Sequence, residues 1–139
     1  MPAPSRIKPP MGHDNGWWWE AAADGRLAIQ RCTDCGTLRH PPRPMCGECQ
    51  SMEWDSVDAS GRGTICSYTV LTHPQFPGYE YPLIIILVDL EEGTRFTSEL
   101  VDCDPADVDF GLPVEMHLQE DPDGFKIPVF RLAEVSNAD

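Results

Sequence analysis

The sequence predicts a mainly β chain in three consecutive parts: a short N-terminal helix, a zinc ribbon, and a five-stranded closed barrel of the OB type. Three observations predict it. Two C-x-x-C pairs, Cys32/Cys35 and Cys46/Cys49, stand ten residues apart. After Gly63 the chain breaks into five β-branched or alternating segments, mostly joined by short turns. Before the cysteines, one stretch alone, W-W-W-E-A-A-A-D-G, combines helix-forming composition with a stop signal. The parts are expected at residues 1–25 (leader and tryptophan-rich helix), 26–60 (ribbon), 61–135 (barrel) and 136–139 (a frayed tail).

At 139 residues there is room for one modest core. No apolar run reaches the ~18 residues of a membrane-spanning helix, and M-P-A-P-S-R-I-K-P-P has no apolar stretch to make it a secretory signal. Cysteine usage fits a reducing, cytoplasmic setting, with four cysteines paired as ligands and Cys66 and Cys103 single free thiols. The net charge is −13, and it is lopsided. Residues 1–79 hold eight acids against seven Arg/Lys, whereas residues 80–139 hold fifteen acids against Arg95, Lys126 and Arg131. Such a C-terminal half repels a phosphate backbone, and the strands carry no basic-aromatic stripe, so nucleic acid is disfavoured as a partner.

Taken in order, residues 1–12 contain four prolines and a glycine and read as a flexible leader or linker. Asp14 or Asn15 offers an N-cap for a helix from about Gly16 to Ala23, stopped by Asp24-Gly25. At 100° per residue Trp17, Trp18 and Trp19 cannot all face one core. Either the helix folds back on the ribbon and buries two of them, or it is a docking helix, since tryptophan is enriched at interface hot spots. Leu27 to Arg31 alternates and reads as a strand feeding the first cysteine turn. The intervening loop, Arg39-His40-Pro41-Pro42-Arg43-Pro44, is a stiff cationic surface, with His40 expected on the outside. The run after Cys49 reads as the ribbon's return strand.

The barrel strands are expected at Thr64–His73, Leu83–Leu90, Thr94–Val101, Pro113–Gln119 and Phe125–Leu132. Leu83–Leu90 is apolar on both faces and should be central. Asp102–Gly111 is an acidic loop with room for one helical turn after Pro105. His73–Pro82 places Phe76, Tyr79 and Tyr81 among prolines and a glycine, either capping the barrel or forming a ligand or partner surface.

The chemistry legible in the residues is metal binding. Each C-x-x-C presents two thiolates from one tight turn, and two such turns can close a tetrahedron around a borderline-soft divalent ion such as Zn2+. Four thiolates leave no open position for a water, so the site reads as structural. There is no phosphate-binding glycine loop, G-x-S-x-G or H-E-x-x-H motif. His13, His40, His73 and His117 are scattered, and the chain reads as non-catalytic by itself.

The order W-W-E-A-x-x-x-G-R-L, R-C-x-x-C-G, P-P-R-x-x-C-x-x-C and G-x-G-T-I-x-S-Y-T-V, spanning Gly16 to about Leu132, resembles the DUF35 family. That resemblance implies a rubredoxin-like zinc ribbon joined to an OB-fold, with Cys32, Cys35, Cys46 and Cys49 as ligands of one structural Zn2+. It further implies an accessory partner of thiolase-superfamily enzymes, among them lipid-transfer-protein-like aldolases that cleave steroid side-chain CoA thioesters, with some such domains fused to a hydratase. The expected function is therefore a non-catalytic subunit that binds and stabilises such an enzyme in a hetero-oligomer. Trp17, Trp18, Trp19, Phe76, Tyr79 and Tyr81 would form the partner interface, and Arg39 and Arg43 would meet the phosphates of an acyl-CoA. The alternative is a stand-alone acyl-CoA-binding module or, with less support, a single-stranded nucleic-acid-binding one.

Overall fold

The structure, a computed structural model, describes residues 5–133. The expected frayed tail, Ser136–Asp139, lies outside them. Helix α1 spans Gly16–Ala23. Asn15 enters it without a side-chain cap; its carbonyl accepts from the amides of Trp18 and Trp19, while its side chain turns back to the Gly12 amide. The helix ends where Asp24-Gly25 predicts, because Gly25 takes φ +85°, a left-handed turn that glycine adopts without steric cost.

Three strands follow: β1 (Ala28–Cys32), β2 (Leu38–Arg39) and β3 (Trp54–Asp58), in the antiparallel order β2-β1-β3. Central β1 is buried on both faces despite its alternating sequence. The polar member of the alternation, Gln30, is buried because its side-chain oxygen accepts the Arg43 amide at 2.9 Å, so one side chain satisfies the stiff loop's backbone.

The barrel comprises β4 (Arg62–Leu71), β5 (Leu83–Leu90), β6 (Arg95–Leu100), β7 (Pro113–Glu120) and β8 (Lys126–Leu132), closed in the order β4-β5-β6-β8-β7. A 3-10 turn at Pro105–Asp107 sits in the acidic loop, capped by Asp104. Strand β5 is central, as its two apolar faces require. Ile84, Ile86, Val88 and Leu90 point into the barrel, whereas Ile85 and Leu87 are only half-buried on the other side. The seam is β6–β8, a single parallel pair, Leu100 opposite Phe130, extended by the Val101 amide on the Phe130 carbonyl at 2.8 Å. Phe130 is fully buried there, worth roughly 1.5–3 kcal/mol of apolar transfer.

One apolar cluster runs through all three parts: Trp18 of the helix and Ile29 of the ribbon join Ile86, Phe96 and Phe130 of the barrel. Ribbon and barrel thus share a core.

The N-terminal segment differs from the loose leader expected. Residues 6–10 lie along the barrel, with Arg6 and Lys8 held by charge. The Arg6 guanidinium bonds Glu99 at 2.6 Å and the Gly78 carbonyl at 3.1 Å, and it lies 4.2 Å over the Tyr79 ring. Its amide donates to Asp121, and Lys8 pairs with Asp121 and Asp123. The acid excess of residues 80–139 receives these two cations, a long-range complementarity that proline content does not report.

Gly63 explains one sequence feature. A Cβ there would lie 2.6 Å from Val88 Cγ1 and against the Asp89 carbonyl, so β4 and β5 could not keep their register. Gly63→Ala is expected to lower stability by about 1–3 kcal/mol, the range for overpacking, read as a reduced urea midpoint at unchanged slope.

Candidate metal centre and the surfaces it positions

The four cysteines of the two turns converge, with all Sγ atoms within 4.8 Å of one another. Cys32 and Cys49 stand 3.5 Å apart, and Cys35 and Cys46 3.6 Å apart. A tetrahedral ion with metal–sulfur bonds of ~2.3 Å holds its sulfurs ~3.8 Å apart, so the cluster has the dimensions of a tetrathiolate cage. The two turns are built alike. Gly36 and Gln50, each following the second cysteine of its pair, donate backbone N–H groups to the carbonyls of Cys32 and Cys46. Both adopt positive φ, +79° and +64°, so Gln50 holds a backbone conformation that glycine takes more readily.

The electrostatics suit a cation. Backbone amides of Cys35 and Asp34 pull the Cys32 thiol down to about 6 despite its burial, and those of Cys49 and Glu48 lower Cys46. The Ser51 amide acts the same way on Cys49, yet Cys32, burial and the other two thiols push Cys49 up to about 12. The cage lowers Cys32 and Cys46 and raises Cys49, and a positive charge in its centre would favour the Cys49 thiolate. The residues fit a tetrahedral, thiophilic metal ion.

Between the cysteine pairs, the structure corrects two expectations. Arg39 is 4% exposed, and its Nε and Nη2 donate to the Arg43 carbonyl at 3.1 and 2.9 Å, so its guanidinium folds the loop rather than facing a ligand. Arg43 is exposed and remains the loop's outward cation. His40 was expected on the surface; instead its ring stacks on Phe96 at 4.4 Å and meets Trp18 at 5.4 Å, where burial lowers it to about 4 from 6.5. A short cationic loop looks solvated in sequence, but this one closes the gap between ribbon and barrel.

The tryptophans divide three ways. Trp17 packs on Trp54 of the ribbon at 5.0 Å, Trp18 on His40 and Phe96, and Trp19 on Phe125 of the barrel at 5.2 Å. Trp18 is a core residue, which removes it from the expected interface; Trp17 and Trp19 are half-buried. The helix lies at the junction, so three directions around it meet protein. In the aromatic loop Phe76 is 52% exposed, Tyr79 lies under Arg6, and the Phe76 amide donates to the Tyr81 hydroxyl at 2.9 Å. His73 is exposed beside no catalytic partner among the described residues.

Comparison with known proteins places this arrangement. Residues 19–55 match the ChsH2 rubredoxin-like zinc ribbon domain, and residues 56–119 the ChsH2 C-terminal OB-fold domain. A "DUF35 domain-containing scaffold protein" of Methanocaldococcus jannaschii is 37% identical over 98 residues, 67% of this chain and 70% of that protein. The chain belongs to the DUF35 family. Two bacterial DUF35 relatives are longer. A "Probable enoyl-CoA hydratase alpha subunit" of Thermomonospora curvata is 46% identical over 95% of this chain, and the "3-oxo-4,17-pregnadiene-20-carboxyl-CoA hydratase alpha subunit" of Mycobacterium tuberculosis 40% identical over 84%. The chain spans only 41% and 37% of their lengths. Among solved structures, a chain of an "Ltp2-ChsH2(DUF35) aldolase" superposes with a TM-score of 0.86 at 45% identity, covering 91% of this chain and all of that one.

Arg6, Glu99 and Ile85 were not singled out by sequence reasoning, although they line one concave apolar face of this DUF35 chain. Ile85 had a signal, since a strand apolar on both faces must cover something on each. Arg6 and Glu99 had none, being 93 residues apart.

Because His40 is buried neutral, its folded value lies below its unfolded one. Its contribution to stability is complete above pH 6.5 and is lost as pH falls toward 4. Between those limits the wild type should lose about 3 kcal/mol more than His40→Phe, which keeps the ring stack without the titration. Chemical denaturation at stepped pH measures the difference.

Proposed function

We propose that this chain is a non-catalytic accessory subunit that docks on and stabilises a thiolase-superfamily enzyme acting on acyl-CoA. The proposed enzyme is a retro-aldolase cleaving a steroid side-chain CoA thioester. The observation that carries this reading is the near-complete correspondence with the DUF35 chain of the Ltp2-ChsH2 aldolase. The CoA-thioester substrate named for the M. tuberculosis relative supports the steroid part.

Cys32, Cys35, Cys46 and Cys49 would hold one Zn2+, whose role is to cross-link the two turns: a sulfur-only donor set selects a borderline-soft ion, and four thiolates fill its shell. The ribbon so fixed presents Arg43 outward, where its charge would meet the phosphates of an acyl-CoA shared with the enzyme. Exposed Phe76 with Tyr79 and Tyr81, and the half-buried edges of Trp17 and Trp19, would supply the apolar contacts. This role would belong in the cytoplasm, where acyl-CoA enzymes and reduced thiols coexist. Among the described residues no helix is long and apolar enough to cross a membrane.

Two measurements test the reading. Elemental analysis of the purified protein should find about one zinc per chain, and Cys46→Ser should lose it. The near-ultraviolet signal of the Trp17–Trp54 pair should go with it, because metal binding contributes folding free energy; a full signal without zinc would refute the structural role. Co-expression with a thiolase-superfamily aldolase should give a co-eluting complex and raise the aldolase's soluble activity. A stable, monodisperse monomer that leaves the enzyme's activity unchanged would sink the accessory role.

A further inference from the structure

A concavity of about 580 Å³ lies on the outer face of β5 and β6. Its floor includes Ile85 and Pro128, and its walls are Ile7 of the leader, Trp19 of α1, and Phe76 and Tyr79 of the aromatic loop. This is the volume and the mixture typical of small-molecule sites, mostly apolar with a few fixed polar groups. The second apolar face of β5 therefore has a purpose beyond the barrel core: half-buried Ile85 lies under the groove.

The polar groups define what would fit. Among the described residues Arg6 and Glu99 are the only oppositely charged pair lining it, and they neutralise each other at 2.6 Å with side chains 9% and 16% exposed. No net charge is left to select an anion or a cation. The Ser98 hydroxyl is committed to the Pro128 carbonyl at 3.0 Å. The Tyr81 hydroxyl accepts the Phe76 amide, so its own proton remains available to donate. Phe76, half-exposed at the rim, would lose that exposure to an apolar occupant.

We propose that this groove is a binding site for a neutral, hydrocarbon-rich small molecule carrying a hydrogen-bond acceptor, for which the lining hydroxyls of Thr97, Tyr79 and Tyr81 are the candidate donors. The walls come from three separate segments of this chain, and the leader wall is clamped by the chain's own ion pair. Trp19, Phe76, Tyr79 and Tyr81 also belong to the surface proposed above for the enzyme, so the inference concerns the free chain, in which they line the groove.

The test uses the chain of residues 1–139 and Nile red, a neutral fused-ring dye with one carbonyl. Saturable binding of one dye per chain is expected, with blue-shifted dye emission and quenching of tryptophan fluorescence. Ile85→Glu puts an unpaired carboxylate in the floor and should weaken binding about tenfold or more. Leu71, at the end of β4, also lines the groove; Leu71→Trp fills it without adding charge and should weaken binding as much, so that the result does not depend on one variant's folding, checked by circular dichroism. Met52→Glu, on the exposed ribbon surface outside the groove, should bind like wild type. Absent or non-saturable binding, or binding unchanged in both groove variants, overturns the inference. So does a free chain that never takes the dye while Ile85→Glu loses an aldolase partner, for the groove is then a protein seat. Dye binding without any co-eluting enzyme supports the inference while the accessory role fails, so the two proposals are separable.

Discussion

Trp18 lies between His40 of the ribbon loop and Phe96 of the barrel, with ring centroids 5.4 and 5.8 Å away, and the relative placement of every surface depends on that stack. The helix contributes the tryptophan, the ribbon the histidine, the barrel the phenylalanine. Their burial joins the helix and the ribbon to the barrel's apolar interior in one cluster. The arrangement has a polar cost. The Trp18 indole N–H, the His40 Nδ1 and one Arg39 nitrogen are buried without hydrogen-bond partners, and each such group costs about 1–3 kcal/mol. Aromatic packing at the junction has to exceed that cost.

The metal cage acts through this junction rather than beside it. Its two turns bracket the Arg39–Pro44 loop, and the loop's ends are fixed again by Gln30 and Arg39. A metal cross-linking the turns would therefore hold His40 against Phe96 and leave Arg43 pointing out. Bound by four thiolates it would have no position for a reacting group, so its contribution would be positional, and what it would position are the surfaces proposed for partner and acyl-CoA.

Charge works on a longer scale. The acidic half gives the barrel a surface that disfavours phosphate-rich partners, yet it also recruits Arg6 and Lys8 from the other end of the sequence. A partly buried Arg–Glu pair is modest evidence for stability. Its clearer effect is geometric, since it turns a proline-rich segment into one wall of an apolar groove and cancels the charge inside it.

The metal cage, the helix limits, the central position of Leu83–Leu90 and the acidic barrel were legible in the sequence by itself. Each rests on local information: ligand spacing in Cys32–Cys49, a stop at Asp24-Gly25, apolar faces at period two, and a charge count. What only the tertiary structure decided is which side chains the fold brings together over long separations. Sequence composition made Arg39 and His40 a solvated cationic loop, whereas packing buried Arg39 and half-buried His40 against Phe96, because the loop spans the gap between ribbon and barrel. Three adjacent tryptophans implied a spare outward face; the junction gave each one a protein neighbour. The Arg6–Glu99 pair and the groove behind it depend on contacts 93 residues apart. No window of local sequence carries that information, for long-range charge pairing leaves no periodic trace.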